Sequence, residues 1–357
     1  MRIHGYKIFD PNRLPPDLAS YYKTIFASTE HSIEGLKLVS KKPLPKITSF
    51  YVESINFNAF VYPFKDEIFL CISAAIPSLL NAYFNTLLQS RTYLAENEIN
   101  FLEIIQSKKI MTSLPESRRL EETIYETWRD TRSDEERRNQ SAWILTTIAL
   151  NFILEHEISH VELGHAHSCN LIGFSFLSER MNYKLFNKAG KEIKKVWEYE
   201  ADIRGSQTIA HLVMDPMMRE DLYELFEFSI DRPQDLLGLA SSAIFSVFHL
   251  LNIVNANDES HPHPLLRFAY VADRLSRYCC RKFGGMKIDE VRRTLFDAAY
   301  NTYHSWGDLG LELDLNLGDS NFWYDKFDLS DVLENSRKEL CQLYIEKAYH
   351  YPFMVQN

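Results

Sequence analysis

The chain has 357 residues, of which 45% are hydrophobic, 13% aromatic and 25% charged, and its formal net charge is -10. This composition suits a globular protein with a sizeable core and carries no sign of disorder. The negative balance argues against a general nucleic-acid or anionic-membrane binder, because phosphate recognition needs a cationic footprint.

The opening residues, MRIHGYKIFDPNRLPPDL, lack the apolar stretch of a signal peptide, so a cytoplasmic protein is expected. Helix-like pieces interrupted by Pro11, Pro15, Pro16, Pro43 and Pro45 fill the first fifty positions, and the basic run from Lys37 to Lys46 reads as solvated surface. Tyr51 to Tyr62 and Ile68 to Ser73 are rich in β-branched and aromatic residues. The intervening PFKDE supplies a turn, which predicts a β-hairpin. Helical patterning starts at Ala74 and runs through Leu80, Tyr83, Phe84 and Leu87. Glu116 to Arg138 carries dense charge of both signs and reads as a solvated helix or an exposed connection.

From Ser141 an apolar run leads into HEISHVELGH, and its apolar residues cover nearly all sides. That pattern predicts a central buried helix, with Gly164 as its stop. Further helices are expected over Lys191 to Met214, Gln234 to Val254 and Leu265 to about Tyr278. The tail from Met286 alternates helix-like stretches with an aromatic loop near Asn321 to Phe327. The most apolar runs, Phe69 to Leu88 and Ala142 to Leu154, read as core rather than membrane spans. Cys71, Cys169, Cys279, Cys280 and Cys341 form neither a disulfide framework nor a CxxC pair, and read as free thiols. The fold class expected is α+β, mainly helical with a small N-terminal sheet. One unit spans 1–357, with no sharp boundary: an N-terminal part to 140, a metal-binding helical core over 141–280 and a helical extension over 281–357.

His156-Glu157-Ile158-Ser159-His160 is an HExxH motif. Its histidines stand at i and i+4, so on a helix they share one face and can share one metal ion, while Glu157 sits beside them to polarise a water. Such a motif arises by chance in roughly three per cent of chains of this kind, so the second element decides. Trp197-Glu198-Tyr199-Glu200-Ala201-Asp202 falls on the next predicted helix, with Glu198 and Asp202 on one face. A catalytic zinc site takes three protein ligands and leaves one position open. Glu198 supplies the third ligand, and Asp202 accepts the proton on the far nitrogen of a zinc-bound histidine. Glu200 points about 200° away on an ideal helix and is expected at the surface.

The extended HExxHxxGxxH motif is absent, since Leu163 and Ala166 occupy its last two positions. His165 lies half-way round the helix from His156, and His167 lies roughly 10 Å along the axis from His160. Neither is expected to join the ion, and both read as structural or surface residues. Ser260-His261-Pro262-His263-Pro264-Leu265-Leu266-Arg267 is a prolyl turn that opens a helix. His261 is the candidate donor to an oxyanion, with His263 in reserve, and Arg267 anchors the turn or pairs with an acid of the site.

Together HExxH and a helix with ExxxD resemble the gluzincin zinc metallopeptidases. HEISH, EYEAD and SHPHPLLR are similar to the motifs of the HtpX and CAAX-protease branch, and Asn58-Ala59-Phe60 with Ile68 to Ile72 resembles that branch's strand before the active-site helix. Because the membrane helices of that branch are absent, the likeness is closer to the soluble Lit-type phage-exclusion peptidases. It covers mainly residues 142–275, with weaker support over 50–88. The resemblance implies that zinc is held by His156, His160 and Glu198, with Glu157 as general base and acid, Asp202 and Arg267 behind the ligands and His261 at the oxyanion. It further implies an edge strand within 51–73 for an extended protein or peptide substrate, with a translation factor as a candidate, and a role in antiviral defence. No nucleic-acid or membrane partner is expected. The competing reading is a non-catalytic, zinc-stabilised binding or regulatory protein.

Overall fold

In a strand, successive side chains face opposite sides, and the N-terminal sequence uses that period to build a sheet with two apolar faces. The computed structural model describes residues 2–3, 5–39, 44–92, 119–166, 188–226, 233–254 and 264–308. Two short strands, β1 (Arg2–Ile3) and β2 (Tyr6–Lys7), form a small antiparallel ladder ahead of the first long helix, α1 (Pro16–Val39). The main sheet comprises β3 (Lys46–Val52), β4 (Ala59–Phe64) and β5 (Glu67–Ser73), in the order β3-β5-β4. β4 and β5 are the expected hairpin, antiparallel from Ala59 opposite Ile72 to Phe64 opposite Glu67. β3 pairs parallel to β5, from Lys46 opposite Glu67 to Val52 opposite Ser73.

This corrects the single strand expected from Tyr51 to Tyr62. Tyr51 and Val52 end β3, the chain leaves the sheet, and it returns as β4 on the far side of β5. Residue composition carries no signal for that exchange of neighbours. One face of the sheet, with Tyr51, Ala59, Val61, Leu70 and Ile72, joins the main core. Val52, Phe60, Phe69 and Cys71 form a smaller cluster on the other face, packed by Tyr6 and Ile8.

The remaining described elements are helices. They are α2 (Ile76–Thr92), α3 (Leu120–Asp130), α4 (Glu136–Glu162), α5 (Lys188–Met214), α6 (Pro216–Phe226), α7 (Gln234–Val254), α8 (Pro264–Phe283) and α9 (Ile288–Asp308). The described chain is thus mainly helical with one small sheet, an α+β arrangement. α4 runs through the middle, touching α1, α2, β4, α5, α6 and α7. Apolar residues surround it from Ala142 to Val161, and its buried hydroxyls bond back to their own helix, as Thr146 does to the Ala142 carbonyl and Ser159 to that of Glu155.

α3 begins inside the charged stretch and is not simply solvated. Its Thr123, Ile124 and Thr127 are buried, and Glu121 pairs with Arg13. Among the described residues one segment, Gln234–Leu251 of α7, is long and apolar enough to cross a membrane, and 83% of it is buried within the protein, as a core helix is. It is not one of the two runs expected to be most apolar. Cys71, Cys279 and Cys280 are free thiols. His261, His263, His167, Cys169, Cys341, residues 309–357 and the aromatic loop near 321–327 lie outside the described residues.

Candidate metal centre

α4 presents His156 and His160 one turn apart on the same face, with their Nε2 atoms 3.2 Å from each other. α5 brings in Glu198, whose Oε2 lies 3.5 Å from His156 Nε2 and whose Oε1 lies 3.9 Å from His160 Nε2. All three residues are buried, and their ligand atoms fall within 4.8 Å of one another, a group that can hold a metal ion. Two nitrogens bound tetrahedrally at about 2.0–2.1 Å stand about 3.3–3.4 Å apart, so the histidine spacing fits such an ion. Two imidazoles and one carboxylate are a donor set suited to zinc and to other transition ions.

The backbone allows this approach at Gly205. A Cβ there would stand 3.1 Å from the backbone nitrogen of His156, so α5 and α4 touch main chain to main chain. Nearby, Arg204 grips Glu162 with two bonds of 2.7 and 2.8 Å, tying α5 to the last turn of α4.

Each ligand histidine has a partner on its other nitrogen. Asp202, fully buried, places Oδ1 2.9 Å from His156 Nδ1. Arg267 of α8 donates Nε and Nη2 bonds, each 2.8 Å, to the two oxygens of Asp202, reaches Glu198 at 3.5 Å and lies over the Phe248 ring at 4.9 Å. Of the two roles the sequence leaves open for Arg267, its contacts match pairing with an acid. Burial by itself would raise the Asp202 carboxyl, but Arg267 and His156 hold it below the usual carboxylate range. Burial by itself would lower His156, but the Asp202 and Glu198 carboxylates outweigh it and lift His156 to about 10. A metal bound there would have to compete with a proton for His156.

His160 meets His165, their Nδ1 atoms 3.0 Å apart, and His165 Nε2 lies 3.1 Å from Glu200 Oε2. His165 is fully buried and stacks on Trp197 at 5.1 Å between centroids. Extrapolating the helix turns His165 away, but α4 ends at Glu162, and Gly164, with φ at 77°, folds the chain back. The surface position expected for Glu200 is likewise corrected, because its carboxylate is only 14% exposed and lies against His165.

Glu157 is buried and lines a cavity of about 20 Å³ with His156, Asp202, Arg267, Phe152 and Ala59. That volume admits one water, which needs roughly 10–15 Å³. Burial and the nearby Glu157 push the Cys71 thiol of β5 up to about 12, which puts the Glu157 carboxylate close to the sheet. A larger recess of about 920 Å³, bordered by Asn81, Trp128, Arg137 and Glu224, contains none of these groups, and chemistry outweighs size in choosing between the two. The sequence reading missed the Gly205 contact and the His165–Glu200 link. The only sequence signals for them are a glycine inside a helix and an HxxxxH spacing, and neither is specific. Comparison with protein-family models, with curated proteins and with solved structures found no match.

Proposed function

We propose that the chain is a zinc-dependent endopeptidase of zincin-like architecture acting on intracellular proteins. The observation that carries this reading is the convergence of His156, His160 and Glu198 with Glu157 beside them in one buried centre. Zinc bound there would supply a Lewis acid that acidifies a water and polarises a peptide carbonyl. Glu157 takes the proton from the attacking water and passes it to the leaving amine. Asp202, fixed by Arg267, holds the His156 ring so that Nε2 would face a bound metal. His261 is proposed as the oxyanion donor on the strength of the SHPHP sequence alone. β4 is an edge strand in the β3-β5-β4 order and contacts α4, which suits an extended substrate adding to the sheet.

The test is zinc stoichiometry together with cleavage. Wild type is expected to hold one zinc per chain and His160→Ala to lose it, while Glu157→Gln keeps zinc and loses cleavage of host proteins followed by N-terminal proteomics. Wild-type protein that binds no zinc, or Glu157→Gln with full activity, refutes the peptidase reading. The small cavity favours one alternative, a metal-stabilised binding protein, for which wild type and Glu157→Gln give identical proteomes. The resemblance to phage-exclusion peptidases extends the proposal to defence, with a translation component as substrate. Phage plating on cells carrying wild type or Glu157→Gln decides that role, and equal plating across a broad panel removes it.

A further inference from the structure

The two ligand histidines are held by different devices, and the second has no counterpart in the sequence motifs. We propose that Glu200 and His165 form a hydrogen-bonded relay that fixes the proton and ring orientation of His160, making both of them positioning residues of the metal centre. This inference rests on the metal reading of His156, His160 and Glu198.

The argument concerns where protons can sit. An ionised carboxylate only accepts hydrogen bonds. Glu200 Oε2, 3.1 Å from His165 Nε2, therefore calls for a proton on that nitrogen. A neutral His165 with its proton on Nε2 has a bare Nδ1. That bare nitrogen lies 3.0 Å from His160 Nδ1 and accepts from it. His160 then carries its proton on Nδ1 and turns an unprotonated Nε2 towards His156 and Glu198. The opposite direction fails, because a His165 that donates from Nδ1 would leave the proton of His160 on Nε2, where it blocks a metal. One carboxylate thus sets the polarity of the whole chain of bonds. A ligand histidine gains from such support because its tautomer and ring angle are fixed before the metal arrives.

The surroundings hold the relay in register. Trp197 covers the His165 ring at 16° between planes, and Trp197 immediately precedes Glu198, so one turn of α5 carries both the third ligand and the support of the second. The φ of 77° at Gly164 turns the chain so that His165 returns to the centre. The relay shares no group with the Asp202–Arg267 clamp behind His156, and the two arms are separable by mutation.

The experiment is a competition titration of zinc against a chromophoric chelator, using full-length wild type, His165→Phe, His165→Asn, Glu200→Gln and the His165→Phe/Glu200→Gln pair. His165→Phe preserves the ring stack and removes the acceptor, and is expected to weaken zinc affinity about 10–100-fold. His165→Asn returns an acceptor near the Nδ1 position and should recover part of that loss. Glu200→Gln should cause a smaller loss and add nothing in the His165→Phe background, because the two act in series. Nitrogen-15 spectra of the zinc-loaded protein should show His165 protonated on Nε2. Tight zinc binding by wild type with unchanged affinity in His165→Phe overturns the relay and leaves the metal site standing. Equal losses in His165→Phe and His165→Asn overturn it as well, by assigning the effect to packing. Wild type without zinc overturns both readings. If His165→Phe does not fold, Glu200→Ala, which removes the acceptor that Gln would keep, decides the matter, and unchanged affinity there overturns the proposal.

Discussion

Asp202 combines two tasks at one residue, and they can be told apart. It orients His156 and it balances Arg267 in the protein interior. Asp202→Ala is expected to weaken zinc affinity about 10–100-fold and to cost up to about 3–5 kcal/mol of stability, because buried Arg267 loses its two short bonds and keeps the longer contact with Glu198. Adding Arg267→Leu should restore much of the stability but not the affinity; equilibrium unfolding and metal titration on the same samples check both outcomes. His249 offers a test away from the centre. It is buried, its Nδ1 and the Tyr83 hydroxyl share a hydrogen bond of 2.7 Å, and burial lowers its pKa to about 3, against 6.5 for a free histidine. Below 6.5 the unfolded chain binds a proton that the folded chain refuses. Stability is therefore expected to fall as pH drops from 6.5 towards 3, with a slope of up to about 1.4 kcal/mol per pH unit from this group. Urea midpoints between pH 7 and pH 5 should be flatter for His249→Gln than for wild type. An equal slope would mean that His249 takes up its proton in the folded state. The HExxH motif singles out His156, Glu157 and His160 from consecutive positions, whereas no local pattern marks His249, whose contact with Tyr83 joins residues far apart in the chain.

At the scale of the element, periodicity was a reliable guide where a helix buries a stripe. Gln234–Val254 is as the apolar pattern predicts, and Lys191–Met214 extends only to Lys188. The sheet was less legible. Composition found the hairpin of β4 and β5, but it could not tell that β3 lies parallel on the other side of β5, since that pairing depends on a crossover and not on any local signal. The α4–α5 contact at Gly205 gives an element-scale prediction with a sign. Inside a helix, Gly→Ala ordinarily stabilises by about 0.5–1 kcal/mol. Here the new Cβ meets the main chain of His156, which has no side-chain freedom to yield. Gly205→Ala is expected to destabilise instead, by about 1–3 kcal/mol, and to weaken zinc binding by parting Glu198 from the histidines. A more stable variant with unchanged affinity would show that the two helices have slack.

For the whole molecule, the centre sits at the junction of α4, α5 and α8 beneath the sheet, beside a cavity of only about 20 Å³. A metal that binds the folded chain and not the unfolded one stabilises it by about 4 kcal/mol at a thousandfold excess over Kd. Thermal unfolding of the zinc-loaded protein should therefore shift downward on chelation, and His160→Ala should lose that response. On the proposed peptidase reading, a small cavity also implies slow or absent digestion of unstructured proteins. Rapid, zinc-dependent hydrolysis of casein would contradict it.

The sequence by itself determined the local terms. Helix periodicity, the i and i+4 spacing of His156 with His160 and of Glu198 with Asp202, and the glycine stop at Gly164 each depend on a handful of neighbouring residues. Tertiary structure alone decided which groups meet across elements. His165 reaches His160 because the chain reverses at Gly164. Glu200 faces that ring rather than solvent because Trp197 and α5 pack beside it. Arg267 closes on Asp202 because α8 lies against α5. Spacing along a chain fixes direction only while a helix continues, and each of these contacts lies beyond the end of one.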